Sequence, residues 1–92
     1  MNNSQIDNTS YYRLPRGGQL EDFIAAMHLD FATGSAVKYW WRAGSKDGES
    51  AEKDIAKARH FVTFLSRANQ TGYQEELARI VLLCNLAKEW TV

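Results

Sequence analysis

Cysteine, proline and net charge are all scarce in this chain, and each scarcity removes a class of protein. A single cysteine, Cys84, can form neither an intramolecular disulfide nor a multi-cysteine zinc site, so no covalent or metal staple reinforces the core. Eleven Lys plus Arg balance eleven Asp plus Glu, which argues against attachment to nucleic acid or an anionic membrane by bulk charge. The longest aliphatic run is Ile80-Val81-Leu82-Leu83, and the first residues carry neither a basic start nor an apolar stretch. A reduced, soluble, cytoplasmic protein is therefore expected. Neither the Gly-x-x-x-x-Gly-Lys-Ser/Thr phosphate loop nor a Gly-x-Gly-x-x-Gly turn occurs, so a nucleotide, if bound, is held another way. His28 and His60 each lack a second histidine three or four residues on, and no metal ligand set is expected.

What is present suits one small helical domain. Ninety-two residues with 45% hydrophobic and 24% charged side chains are globular proportions, but a chain this short buries only about 60 to 65% of its unfolded surface. Oligomerisation is the remaining reinforcement. Residues 1–10 hold one isolated apolar residue, Ile6, and are expected to be a flexible lead to a domain over 11–92. Tyr11 to Gly18 contains the only proline and two glycines and reads as an extended or turning segment.

From Leu20, the apolar spacing Leu20, Phe23, Ile24, Met27 predicts a first helix, with Glu21 and Asp22 in its first turn. Asp30 to Ser35 reads as a break rich in capping residues, and a second helix is expected from there to about Ala43. A third begins near Ser50 or Ala51 and buries Ile55, Ala58, Phe61, Val62 and Leu65, with Lys53, Lys57, His60 and Phe64 on its other side. A fourth, from about Tyr73 to Trp90, is apolar on two faces. Its second strip, Leu82, Leu83, Leu86 and Trp90, is expected to cover a subunit interface. With no alternating strand pattern anywhere, the fold class is all-α, a compact four-helix bundle.

Chemistry concentrates on the second helix. Lys38 and Arg42 are like charges four residues apart, an arrangement that costs roughly a few tenths of a kcal/mol unless an anion reverses it. Gly34-Ser35 is expected at that helix's start, where free N–H groups favour phosphate, and Lys46 follows its end. Tyr11, Tyr12, Tyr39, Trp40 and Trp41 are candidates to stack on a base. The competing reading is a solvated basic face over core aromatics. Cys84 reads as a small core residue rather than a nucleophile. Glu49-Ser-Ala-Glu52 has the first carboxylate spacing of all-α triphosphate pyrophosphatases, but no Glu-x-x-Asp follows it, and a magnesium site cannot be assembled from obvious ligands.

Several blocks together carry a resemblance: Tyr11-Tyr12; Gly17-Gly18-Gln19-x-x-Asp22-Phe23-Ile24; Leu29-Asp30-Phe31-x-x-Gly34-x-x-Val37-Lys38-Tyr39; Arg42-Ala43-Gly44-x-Lys46-Asp47-Gly48-Glu49; and Asp54-Ile55-x-Lys57-Ala58. Over about residues 11–65 the chain resembles a small phage-encoded domain family, largely of unknown function. That family is often labelled nucleotide kinase because a nucleotide kinase of T-odd coliphages contains the domain. The resemblance implies a phage or prophage source, action in the host cytoplasm, and nucleotides as ligands. Carried over, Asp22, Lys38, Tyr39, Arg42, Lys46, Asp47 and Asp54 are the residues of interest, with Asp22 or Asp54 either orienting the basic pair, contacting a sugar hydroxyl, or acting as structural salt-bridge partners. The leading expectation is a nucleotide- or phosphate-ligand-binding domain. A nucleoside monophosphate kinase subunit, which alone would require magnesium, and a protein-binding inhibitor of a host defence system remain alternatives. No other cofactor is implied.

Overall fold

The computed structural model describes residues 12–45 and 51–91. Residues 1–10, Tyr11, Lys46 and Asp47 lie outside them. Four helices make up the described chain: α1 Leu20–Ala26, α2 Phe31–Ser45, α3 Ala51–Asn69 and α4 Tyr73–Glu89. The all-α bundle expected from the apolar periodicity is the observed architecture.

Ahead of α1, the chain folds into a tight loop. Leu14 N–H donates to the Gly18 carbonyl at 2.9 Å and Leu20 N–H to the Tyr12 carbonyl at 2.6 Å, while Gly17 and Gly18 take φ of 108° and 84°. Those angles are open to glycine at no steric cost, and they return the chain so that Leu14 is buried. At the start of α1, the Asp22 carboxylate accepts the Gln19 N–H at 2.8 Å. The helix is shorter than its apolar spacing suggests. His28 adopts φ 55° and its N–H and that of Leu29 close back onto Ala25 and Ile24, a left-handed helix stop. Met27, expected on the buried face, is consequently exposed.

The second helix departs further from expectation. It begins at Phe31 rather than near Ser35, because Asp30 caps it. Asp30 Oδ1 accepts the Thr33 N–H at 2.7 Å, and the Gly34 N–H donates to the Asp30 carbonyl at 2.8 Å. Gly34 instead marks a close approach between helices, since a Cβ there would stand 3.2 Å from Ile24 Cγ2. The helix also runs past Ala43 to Ser45.

The core gathers Leu14, Leu20 and Phe23 with Ala36 and Val37 of α2, Val62 and Leu65 of α3, and Ile80, Cys84 and Ala87 of α4. Each fully buried Val or Ile contributes about 1.5–3 kcal/mol. The second apolar strip of α4 divides. Leu83 and Trp90 pack against this core, Trp90 edge-on to Phe23 at 5.9 Å, whereas Leu82 and Leu86 are 56% and 48% exposed. No described helix is long and apolar enough to cross a membrane.

Candidate functional site

Helical spacing places Lys38 and Arg42 on one strip of α2, and the packing of α2 on α3 gives the two different partners. Arg42 turns inward. Its Nε lies 3.7 Å from Asp54 Oδ2 of α3, and its Nη1 donates to the Tyr12 hydroxyl at 3.2 Å. The Asp54 side chain is 1% exposed, so Arg42 is the counter-ion of a buried carboxylate. The like-charge cost expected between Lys38 and Arg42 is thereby offset without any ligand.

Lys38 is exposed and stays near the surface. Its ammonium sits 5.7 Å from the centre of the Tyr12 ring and 5.6 Å from that of Tyr39. Lys57, from α3, reaches the same Tyr39 ring at 5.2 Å. Such cation–π contacts hold an exposed ammonium with about 0.5–1 kcal/mol. Among the described residues neither lysine is paired with a carboxylate. Tyr39 in turn stacks on Phe61 at 6.1 Å and 8°, and Phe61 meets Phe31 edge-on at 5.8 Å.

Two shallow clefts flank Lys38 and share Ile24 as a wall. One, about 190 Å³, is lined by Tyr12, Leu20, Glu21, Ile24 and Lys38. The other, about 270 Å³, is bordered by Leu29, Asp30, Phe31, Gly34 and Ser35 as well. Of the residues singled out from the sequence, Tyr12, Lys38, Tyr39, Arg42 and Asp54 therefore come together, and Ser35 borders them.

One expectation is corrected, and two further sets of candidates are located. Gly34-Ser35 is not a helix start offering free N–H groups, since Asp30 precedes it as the cap and the Gly34 N–H is already bonded. The anion at that end of α2 is the chain's own Asp30 carboxylate, placed where the helix dipole favours it. Asp22 caps α1, its carboxylate accepting the Gln19 N–H. Trp40 and Trp41 line a separate cleft of about 260 Å³ with Pro15, Val81, Cys84, Asn85 and Lys88. Cys84 at its floor is a core thiol. Its Sγ lies 3.6 Å from the Val37 carbonyl, and burial pushes its pKa up to about 12, far from the thiolate a nucleophile needs.

Sequence reasoning missed two features. Spacing sets Lys57 on the outer side of α3, where it is exposed, but gives no sign of its partner across the α2–α3 seam, the Tyr39 ring. The second is a polar network around Glu76, which is buried. Glu76 Oε2 accepts the Thr71 hydroxyl and, at 3.2 Å, the Asn69 amide, while its Oε1 accepts Arg79 Nη2 at 3.0 Å. Arg79 Nη2 also donates to Thr33 Oγ1 at 3.3 Å. The Thr71 hydroxyl foremost, then Asn69 and Arg79, hold the Glu76 carboxyl below its ordinary value against the opposing effect of burial. No signal of a single helix wheel reveals it, because its members come from the end of α3, the α3–α4 turn, α4 and α2.

Among the described residues no group of three or more His, Cys, Asp or Glu side chains is placed to hold a metal ion. Residues 6–63 match the family described as protein of unknown function, DUF3310. No curated protein and no solved structure matches the chain.

Proposed function

The chain belongs to this DUF3310 family, and on that footing we propose that the protein binds a nucleotide or another phosphate-bearing ligand at the α2–α3 face. The observation that carries the reading is the convergence of Lys38 and Lys57, from two helices, on the single ring of Tyr39. A ring that holds two ammonium groups at 5.6 and 5.2 Å from its centre concentrates positive charge on one patch, and a phosphate bound there would gain from both cations. Glu21 and Asp30 stand on the walls of the clefts beside Lys38 and would repel a phosphate there, which favours the Lys57 side for the phosphate and the apolar wall at Ile24 for a less charged part of the ligand. Arg42 serves the site from behind, fixing the Tyr12 hydroxyl and the α2–α3 seam. The motif resemblance over about residues 11–65 implies a phage protein acting in the host cytoplasm, and this setting is part of the proposal.

Thermal denaturation against mono-, tri- and cyclic nucleotides tests it. A ligand at about one hundred times its dissociation constant stabilises the fold by about 2.7 kcal/mol, several degrees for a domain of this size. Lys38→Ala and Lys57→Ala should each remove most of that shift while leaving the unliganded midpoint in place. Loss of the apo fold with a preserved shift in the remainder would refute the site. A kinase subunit would also turn over a nucleoside monophosphate with a triphosphate and magnesium; an inhibitor of host defence would ignore nucleotides and copurify with a host protein.

Self-association is a separate proposal, carried by the exposure of Leu82 and Leu86 one helical turn apart on α4. Sedimentation should show an oligomer that Leu86→Asp shifts toward monomer, and a monomeric wild type at high micromolar concentration rules it out.

A further inference from the structure

The chain has no net charge, yet its charges are sorted in space. Asp22, Asp30 and Glu75 are bonded to backbone N–H groups at the starts of α1, α2 and α4. Asp54 and Glu76 are buried with Arg42 and Arg79. Glu21, Glu52 and Glu89 are exposed as well, but on α3 the outward cations other than Arg59 fall in one line. Between Ile55 and Asn69 that helix contains no acidic residue at all. At 100° per residue Lys53, Lys57, His60, Phe64 and Arg67 lie within 40° of a common direction, roughly opposite the buried Val62. All five are exposed.

Aromatic surface is interleaved with this charge. Phe64 is 48% exposed within the stripe, and Phe31, 80% exposed, rests its ring against Phe61 on the neighbouring helix. A cationic line about 21 Å long, fourteen residues at about 1.5 Å each, with ring faces beside it, has the two elements of single-strand recognition. Lysine and arginine follow the phosphates, and aromatic rings receive bases that no partner strand occupies. The length suits roughly four to six nucleotides at about 3.4 Å or more per phosphate. A duplex, whose bases are already stacked and paired, uses only the charge.

We propose that the exposed face of α3 from Lys53 to Arg67, with Phe31 of α2, is a track for single-stranded nucleic acid. The proposal rests on the anion site described above, because Lys57 belongs to both; the strand enters at Lys57 and continues along residues that a mononucleotide does not reach.

Fluorescence anisotropy with a fluorescein-labelled oligothymidylate, titrated at several salt concentrations, tests it. With three cations engaged (Lys53, Lys57 and Arg67), log affinity should fall against log salt with a slope of about −2, from about −0.7 per single-strand phosphate contact. Arg67→Ala should make that slope shallower by about 0.7, and Phe64→Ala should weaken binding about tenfold. Both positions are exposed, so the unfolding midpoint should not move, and the mononucleotide-induced thermal shift should be unchanged in both variants. Mononucleotide stabilisation without oligothymidylate binding overturns the track and leaves the smaller site standing. Oligothymidylate binding that is indifferent to Phe64→Ala and Arg67→Ala, or no tighter than binding to a duplex of equal length, overturns it as well. Failure of both ligands overturns the track and the site together.

Discussion

Among the described residues two carboxylates are buried, each with an arginine, and they are built differently. Glu76 draws Asn69, Thr71 and Arg79 from within seven residues of itself and reaches one distant partner, Thr33, only through Arg79. Asp54 is matched by Arg42 from another helix, and Arg42 holds the hydroxyl of Tyr12, thirty residues away in sequence. The first arrangement pins a turn. The second ties the opening loop, α2 and α3 together immediately beneath Lys38 and Lys57, so the surface proposed to bind a ligand is supported by an ion pair that is itself unavailable to it. Two neighbouring cations on one helical strip thus have separate work, one structural and one facing outward.

The largest expected effect breaks the Asp54 arrangement. Arg42→Ala removes the arginine of a buried ion pair whose Asp54 side chain is 1% exposed, and breaking such a pair costs about 3–5 kcal/mol. Urea unfolding should show that loss, while Lys38→Ala, one turn earlier, stays within about 0.5 kcal/mol of wild type. Equal effects of the two substitutions would mean that Arg42 is not a structural partner and would return it to the ligand.

Glu76 should respond less and with a pH signature. Its carboxyl titrates below the ordinary 4.5 in the folded state, so the ionised form is favoured by folding. The stabilisation is complete above the ordinary value and is lost as the pH falls through it toward the lower folded value. Glu76→Gln presents an amide donor to groups that already donate, and about 1–3 kcal/mol should be lost at pH 7. Unfolding measured between about pH 6 and 3 should then show a shallower acid slope in the variant than in the wild type. Parallel curves would remove Glu76 from the acid response.

Local pattern made the helices legible, and tertiary pairing hid the site. The 3.6-residue spacing of Leu20, Phe23 and Ile24, or of Ala58, Val62 and Leu65, reports a buried face directly. The start of α2 is ambiguous in the sequence because Asp30 and Ser35 are both good caps; Asp30 takes the role, and Gly34 lies inside the helix where it comes close to Ile24. The strip of Lys38 and Arg42 was visible, but which of them turns inward depends on Asp54 lying across the seam. Lys57 joined them for the same reason. On α4, spacing grouped Leu82, Leu83, Leu86 and Trp90 as one surface, whereas Trp90 lies just past the helix end at Glu89 and folds back onto Phe23.

The smallest effect refines the Glu76 side of the comparison by acting on its backbone. Gln70 has φ 57° and ends α3, its N–H bonded to the Arg67 carbonyl and that of Thr71 to the Ser66 carbonyl. A side chain in this left-handed region costs about 1–2 kcal/mol, which glycine avoids. Glycine also gives the unfolded chain more freedom to lose, an opposing cost of about 0.4–1 kcal/mol. The difference predicts that Gln70→Gly stabilises by about 0.5–1 kcal/mol. Because Asn69 and Thr71 on either side both donate to Glu76, relief of strain at Gln70 should leave their geometry intact and the acid slope of unfolding unchanged. Thermal unfolding at pH 7 and pH 4 separates the terms. An equal gain at both values locates the effect in the backbone, whereas a gain that vanishes at low pH shows that residue 70 acts through the Glu76 carboxylate instead.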